Sequence, residues 1–461
     1  MTDLKWSRFN FLVETEKHRK YLYNSYSNSL IALDDSLYAS LLFLSRDNGT
    51  SILSAFSEEE IEYLKKIYAL VEDDDALVDI LHHQSMSRLY SKKTMVLTIA
   101  PTQSCNFACT YCFEKWRQSG ALSNRTEDAI INYIKHLKQE DGLESVNLTW
   151  YGGEPLLQYK RVISLARRID ELGLKINENL LITNGYFFTP EVVEKLVEAK
   201  ISEIQITLDG FRETHDIRRP LINGKGTFDT IIKNLDDYYN SRFRGAFAIA
   251  IRVNIDNRNY KSFMEIYRWL NDRYKSKKLI VYPGIVVLDE TDCNASTCLS
   301  RNAVTDIFLD LFTKYGVVTE ELYPDDVNME CMTRSPYSML IGSQGEIYKC
   351  YEDLGNKELT VGNINDPEVW HNYELIAKYA VGIDHYNDPE CRKCSYLPIC
   401  RGGCPIRRFE NVYKGKHNDC CTPFKGQKTI LNYTRKFLTT NRIWSSPLLP
   451  SSMRWIVARR R

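Results

Sequence analysis

From about residue 93 the apolar positions switch rhythm repeatedly. Short runs of aliphatic and β-branched residues give way to stretches with helical spacing, and then return. The pattern predicts strands over 94–98, 146–150, 180–183, 203–208, 248–253 and 278–287. Helices are predicted over 126–137, 159–169, 192–199, 228–238 and 260–274. Strand and helix alternating in this way predict a parallel sheet of βαβ units, an α/β barrel or part of one. Chemistry in such folds gathers at the C-terminal ends of the strands.

Residues 1–92 follow a different plan. A strand is expected over 9–13, and two short strands over 21–33 flank Ser25-Tyr26-Ser27-Asn28. A helix over 37–44 comes next. Ser57 followed by Glu60 has capping-box spacing for a helix over 58–70, and 75–81 begins a last helix. Strands followed by helices suit a small separate domain, either a structural cap or a module that binds peptide at an open strand edge. Residues 288–330 give only a connector containing Cys293 and Cys298. Beyond them lies a hairpin signal at 341–347, and after about 430 a tail expected to form a helix and an extended arm.

The loops fall where a barrel would place its chemistry. Residues 105–112 follow the first strand, and Tyr151-Gly152-Gly153-Glu154 the second. Asn184-Gly185 follow the third and Asp209-Gly210 the fourth, while Arg252 and Asn254 end the fifth. All five then face one rim.

Composition narrows the chemistry. Of 461 residues, thirteen are cysteine. The chain has no apolar leader at its start and no apolar run of roughly eighteen residues, so it reads as a cytoplasmic protein with no membrane span. Thiols in reducing cytosol favour metal ligation over structural disulfides. Lys+Arg and Asp+Glu balance at 60 each, which argues against a general nucleic-acid partner; the terminal Arg459-Arg460-Arg461 are accounted for by solvation. Cys105, Cys109 and Cys112 have the spacing C-x3-C-x2-C, three thiolates for a four-iron cluster whose remaining iron has no protein ligand. Zinc is the main rival for the C-terminal cysteines, because Cys391-x2-Cys394 taken alone suits a zinc knuckle.

Those three cysteines, with Tyr111 beside the last, resemble the signature of radical S-adenosylmethionine (SAM) enzymes. The later cysteines resemble the SPASM domain found in part of that family. The resemblance covers about residues 93–290 and 325–430. It implies a partial (β/α)6 TIM-like barrel at 93–300, a connector at 301–330, a SPASM domain at 331–430 and a tail at 431–461. It also implies SAM and three 4Fe–4S clusters, one binding SAM and two auxiliary. The amine and carboxylate of SAM chelate the open iron, and reductive cleavage yields a 5′-deoxyadenosyl radical able to take hydrogen from a C–H bond. Gly152 and Gly153 allow close approach of the methionine end, and Glu154 accepts from its ammonium. Tyr111, Asn184, Gln205, Thr207 and Arg252 are the further candidates for cofactor contact. Asp209 and His215 are the candidate proton acceptors.

By the same resemblance, Cys331, Cys350 and Cys404 serve one auxiliary cluster. Cys391, Cys394, Cys400 and Cys421 serve the other, with Cys420 an open alternative to Cys421. The sequence departs from the family pattern just before Cys331, where residues 327–330 hold no cysteine. The first auxiliary cluster then keeps an open iron or takes Cys293 or Cys298. Residues 1–92 resemble the winged-helix-like recognition element of ribosomal-peptide maturases. The expected partners are therefore a precursor peptide with a leader and a reducing donor such as flavodoxin or ferredoxin. The expected product is a thioether, C–C or C–O crosslink. Sulfatase maturation, another protein-modifying radical reaction and peptide epimerisation are the alternatives.

Overall fold

A computed structural model of the chain describes residues 4–15, 18–47, 55–114, 118–286, 298–317, 331–421, 425–426 and 453–456. Two compact units emerge. One gathers Met1–Arg88, Arg301–Glu330 and Ile383–Arg461; the other gathers Leu89–Ser300 and Cys331–Gly382. The stretch expected as one domain over 331–430 thus contributes to both.

The first unit opens with β1 (Lys5–Trp6), β2 (Asn10–Glu14), β3 (Lys20–Asn24) and β4 (Ser29–Leu33), then α1 (Asp35–Asp47), α2 (Glu58–Lys66), β5 (Leu70–Val71) and α3 (Asp74–Leu89). β2, β3 and β4 form an antiparallel meander that sets Val13 opposite Tyr21 and Leu22 opposite Ile31. Leu22, Ile31 and Leu33 pack with Leu37, Leu41 and Leu44 of α1 and Leu64 of α2. Burying these side chains offsets the entropy of ordering so small a sheet, at roughly 1.5–3 kcal/mol each. The capping box forms as expected: Glu60 N donates to Ser57 Oγ at 3.2 Å and Ser57 N to Glu60 Oε2 at 2.9 Å. The helix stops at Lys66 rather than 70. Tyr68 adopts φ +60°, and Leu70–Val71 leave to pair with β1.

Leu77, Val78 and Leu81 of α3 pack with Phe9, Tyr386 and Leu397, which brings the segment after Ile383 into this unit. Helix Arg301–Tyr315 also belongs to it, where the sequence offered only a connector. A further strand, Met453–Ile456, pairs antiparallel with β4, giving a four-stranded order in which β4 is interior. The rest of the expected tail, 431–452 and 457–461, lies outside the described residues.

The second unit carries β6 (Thr94–Ile99), α4 (Asn124–Glu140), β7 (Ser145–Trp150), α5 (Tyr159–Asp170), β8 (Lys175–Thr183), α6 (Pro190–Glu198) and β9 (Glu203–Leu208). It continues with α7 (Arg212–Arg218), α8 (Phe228–Tyr239), β10 (Ala248–Ile255), α9 (Phe263–Tyr274) and β11 (Leu279–Ile285). The six strands β6 to β11 lie parallel in chain order, the partial TIM-like barrel that the alternation predicts. Along β10 the side chains alternate. Ile249, Ile251, Val253 and Ile255 are buried, leaving Arg252 and Asn254 on the opposite face.

The sheet does not end at β6. β12 (Met339–Ile341) adds to it in parallel, and β13 (Glu346–Tyr348) and β14 (Gly362–Asn363) follow antiparallel. A three-residue strand carries too little periodicity to announce that docking.

Candidate active site

The cysteine loop leaves β6 and is held from below by the segment after α7. Ala108 N donates to Pro220 O at 2.8 Å, Thr110 N to Arg218 O at 3.0 Å, and Ile222 N to Asn106 O at 3.0 Å. Cys105, Cys109 and Cys112 are half-buried on this loop. Beside it, Gly152 has φ +108°, and a Cβ there would sit 2.5 Å from Thr102 O. A Cβ on Gly153 would overlap the carbonyls of Gln103 and Ser104. Only glycine lets the turn after β7 lie against the loop that follows β6.

Glu154 is fully buried and ties the turn after β7 to the end of β8. Its Oε1 accepts from Leu156 N at 2.9 Å and Thr183 Oγ1 at 2.7 Å, and its Oε2 from Asn184 N at 2.7 Å. Burial pushes its pKa up, opposed by those three donors. Asn184 Nδ2 in turn donates to Asn106 Oδ1 at 2.8 Å. Gln205 Oε1 accepts from Tyr282 at 2.7 Å, Arg252 Nε donates to Asn254 Oδ1 at 2.8 Å, and Thr207 is buried on β9.

Tyr111 is the hub of the rim. Its hydroxyl donates to Asp209 Oδ1 at 2.8 Å and accepts from Arg219 at 2.9 Å and Asn254 at 3.0 Å. Arg218 bridges Asp209 and Asp256, each at 2.7 Å, and lies over the Tyr111 ring with 4.9 Å to its centroid. These arginines escaped the sequence reading. Arg218 and Arg219 close a seven-residue helix too short to show a period, and only their juxtaposition hinted at a role.

The same network supplies partners to both expected proton acceptors. Asp209 is fully buried and already accepts from Tyr111 and Arg218. His215 Nδ1 accepts from Asp209 N at 3.2 Å, which leaves Nε2–H to donate to Thr227 Oγ1 at 3.0 Å while that hydroxyl donates to Arg219 O. Burial, then Arg219 and Arg218, hold its pKa well below the usual histidine value. Both side chains are hydrogen-bonded within the rim.

Comparison with known proteins places this geometry. Residues 99–270 match the family model described as the radical SAM superfamily. The chain carries a radical SAM domain. It is 23% identical to the serine-type anaerobic sulfatase-maturating enzyme of Klebsiella pneumoniae over 322 residues, covering 66% of this chain and 79% of that protein. It is 24% identical to the cysteine-type enzyme of Clostridium novyi (strain NT) over 380 residues, covering 75% and 98%. It is 25% identical to mycofactocin maturase MftC of Mycolicibacterium smegmatis over 334 residues, covering 68% and 78%. Among solved structures, native anSMEcpe with bound AdoMet and Cp18Cys peptide shares the fold at TM-score 0.57 and 19% identity, over 75% of this chain and 98% of that one. SuiB of Streptococcus suis bound to S-adenosylmethionine does so at TM-score 0.50 and 19% identity, over 87% and 95%.

The radical SAM family implies SAM and a 4Fe–4S cluster, and the residues present suit both. Three thiols share one loop, the two glycines let the turn after β7 pack directly against that loop, and Asn106 Nδ2 and Gln103 Nε2 are buried nitrogens with no protein acceptor. Among the described residues no group of three or more His, Cys, Asp or Glu is drawn together around a common point.

The later cysteines fall in both units. In the unit that carries the radical SAM domain, burial pushes the Cys350 thiol well up, with Asp353 adding to it. Neighbouring Lys349 is also buried, which pushes it down to about 7 against the pull of Cys331. Its ammonium donates to Ser338 O at 2.5 Å and to Ser335 O. In the other unit, Cys391 Sγ accepts from Arg408 at 3.1 Å, and burial raises its pKa to about 11. Cys394 N donates to Cys391 O, and Gly403 N to Cys400 O. Cys404 N donates to Cys420 O at 3.2 Å, Cys420 Sγ accepts from Asn411 at 3.3 Å, and Cys421 Sγ meets Lys425 at 3.5 Å. Cys298 is disulfide-bonded, and Cys293 lies outside the described residues.

Proposed function

We propose that this chain is a radical SAM maturase acting on a ribosomally made precursor peptide. The observation that carries the reading is the first unit's opening. A three-stranded meander followed by α1, α2 and α3 stands ahead of the radical SAM domain, and a strand edge of that kind binds an extended peptide through backbone hydrogen bonds. Mycofactocin maturase is by its name a maturase, and the fold likeness to SuiB extends over 87% of this chain.

Bound at the rim, the cluster and SAM supply a carbon-centred radical that abstracts hydrogen from a peptide C–H. Cys105, Cys109 and Cys112 would hold the cluster. Gly152 and Gly153 give the methionine end room, with Glu154, Asn184, Gln205, Thr207 and Arg252 as the surrounding contacts. Tyr111, Asp209, Arg218 and His215 keep the loop and strand ends in register. The remaining cysteines, Cys331, Cys350, Cys391, Cys394, Cys400, Cys404 and Cys421, would hold two auxiliary clusters, bringing the count to three. Crosslinking removes two hydrogens from the peptide, so an acceptor for the second electron is required, and auxiliary clusters suit that task. A flavodoxin or ferredoxin in the cytoplasm would deliver the initiating electron. Among the described residues no helix is long and apolar enough to cross a membrane.

A second reading has its own support. The sulfatase-maturating enzymes align over most of their length and share the fold at TM-score 0.57, so oxidation of a protein side chain is the alternative chemistry.

Anaerobic reconstitution with the candidate precursor, followed by mass spectrometry, separates these outcomes. A product lighter by two hydrogens with new connectivity between residues supports crosslinking. Unchanged mass with solvent deuterium incorporated indicates epimerisation, and oxidation of a lone Cys or Ser indicates the sulfatase-type reaction. Cys109→Ala should abolish 5′-deoxyadenosine formation while later-cysteine iron is retained; undiminished turnover in that variant sinks the assignment.

A further inference from the structure

β4 is an edge strand of the N-terminal meander only until residues 453–456 are considered. Met453–Ile456 lies antiparallel along it, setting Met453 opposite Leu33, Arg454 opposite Ala32, Trp455 opposite Ile31 and Ile456 opposite Leu30. The sheet order runs from this strand through β4 and β3 to β2. An uncovered edge presents a row of unpaired N–H and C=O groups, which proteins either cover or use to bind another strand. Here the chain's own late segment takes that place.

We propose that residues 453–456 are an internal occupant of the peptide-binding edge, which a substrate peptide must displace before it can be held. This rests on reading the meander as the peptide-recognition sheet. The partner is an extended peptide of at least four residues running antiparallel to β4, whose backbone repeats the hydrogen bonds now made by 453–456. Trp455 and Ile456 have the β-favouring chemistry that such a strand needs, and the same preference is expected of its competitor.

Pairing within one chain carries a high effective concentration, so a weak four-residue strand still suppresses a competing peptide by about tenfold or more. The consequence is selectivity. Short, generic extended peptides do not open the edge, whereas a longer leader with contacts beyond the four shared positions does.

The test uses a fluorescein-labelled synthetic peptide with the sequence of residues 447–461 as probe. Three forms of the reconstituted protein are compared: the full chain, a deletion of 447–461, and the double variant Arg454→Pro/Trp455→Pro. Adjacent prolines remove two consecutive donors and so break the ladder in either phase of the pairing. The probe should bind the deletion and the proline variant about tenfold more tightly than the full chain. Amides of residues 30–33 should exchange faster in both variants and be protected again by the probe. Equal probe affinity in all three forms, or no binding to either variant, overturns the proposal. So does a precursor peptide that is modified yet fails to displace the probe.

SAM cleavage is followed in the same preparations. Its loss in every form retires the maturase reading, while probe binding still decides the occupancy of the edge. Normal cleavage with unchanged probe affinity retires the edge proposal alone.

Discussion

Tyr111 donates its hydroxyl to Asp209 at 2.8 Å, and this bond ties the cysteine loop after β6 to the turn after β9. The two residues are separated by three βα units in sequence, yet parallel strands bring both to one rim. Arg219 and Asn254 donate to the same hydroxyl, so one phenol joins the cysteine loop, the end of β9, the segment after α7 and the end of β10.

Replacing Tyr111 with Phe keeps the ring and removes that junction. Asp209, Arg219 and Asn254 would each lose a buried partner, at a cost of about 1–3 kcal/mol. Misplacing the loop should lower SAM cleavage by about tenfold or more. Denaturant titration and 5′-deoxyadenosine yield measure the two effects, and a variant matching the parent in both would show that the hydroxyl positions nothing.

Arg218 should matter far more than other arginines on the same helix. It is buried between two fully buried carboxylates, Asp209 and Asp256; Arg218→Met leaves Asp209 without its guanidinium partner, while Asp256 keeps Arg258 at 2.6 Å, and should cost about 3–5 kcal/mol. Arg212 pairs with Asp229 at the surface, where both side chains are more than half exposed, and Arg212→Met should cost no more than about 0.5 kcal/mol. Paired thermal melts test the ranking; similar losses at the two sites would refute it.

Much of this was legible in the chain because it was local. Every strand from β6 to β11 carries enough apolar positions to declare itself, and Glu203–Leu208 falls where the pattern put it. The rim followed from parallel order alone. What escaped the sequence was long-range. Nothing in Met339–Ile341 says that it pairs with β6, and nothing in Met453–Ile456 says that it pairs with a strand from the beginning of the chain. Acidic and imidazole groups at a strand end, such as Asp209 and His215, point to chemistry from sequence alone. Their partners, Arg218 and Thr227, become visible only in the fold.

His215 gives the protein a defined weakness toward acid. In the folded state its Nδ1 accepts from Asp209 N, and burial, then Arg219 and Arg218, oppose a positive charge, so it stays neutral to well below the usual pKa. Unfolded, it protonates near pH 6.5. The unfolded chain therefore binds the extra proton as pH falls below about 6.5. The stability lost should approach about 1.4 kcal/mol per pH unit until the folded-state value is reached. Above pH 6.5 this contribution is fully present. His215→Gln should flatten that slope while lowering stability at pH 7.5, and chemical denaturation at pH 5.5 and 7.5 reads both. An unchanged slope would mean that another group sets the acid sensitivity.

Gly153 is the position where a single methyl group should separate folding from chemistry. A Cβ there overlaps the backbone carbonyls of both Gln103 and Ser104, and neither can move without shifting Cys105, the next residue in the chain. The sheet beneath is held by the β6–β7 ladder, which pairs Ile99 with Trp150 and does not involve the turn. Gly153→Ala should therefore leave the far-ultraviolet spectrum and the total iron content intact. Displacing the cysteine loop by a fraction of an ångström to an ångström should cut SAM cleavage by about a hundredfold. Iron analysis, circular dichroism and 5′-deoxyadenosine yield on one preparation decide it. A folded variant that cleaves SAM at the parent rate would show that the glycine pair does not set the distance between the turn and the loop.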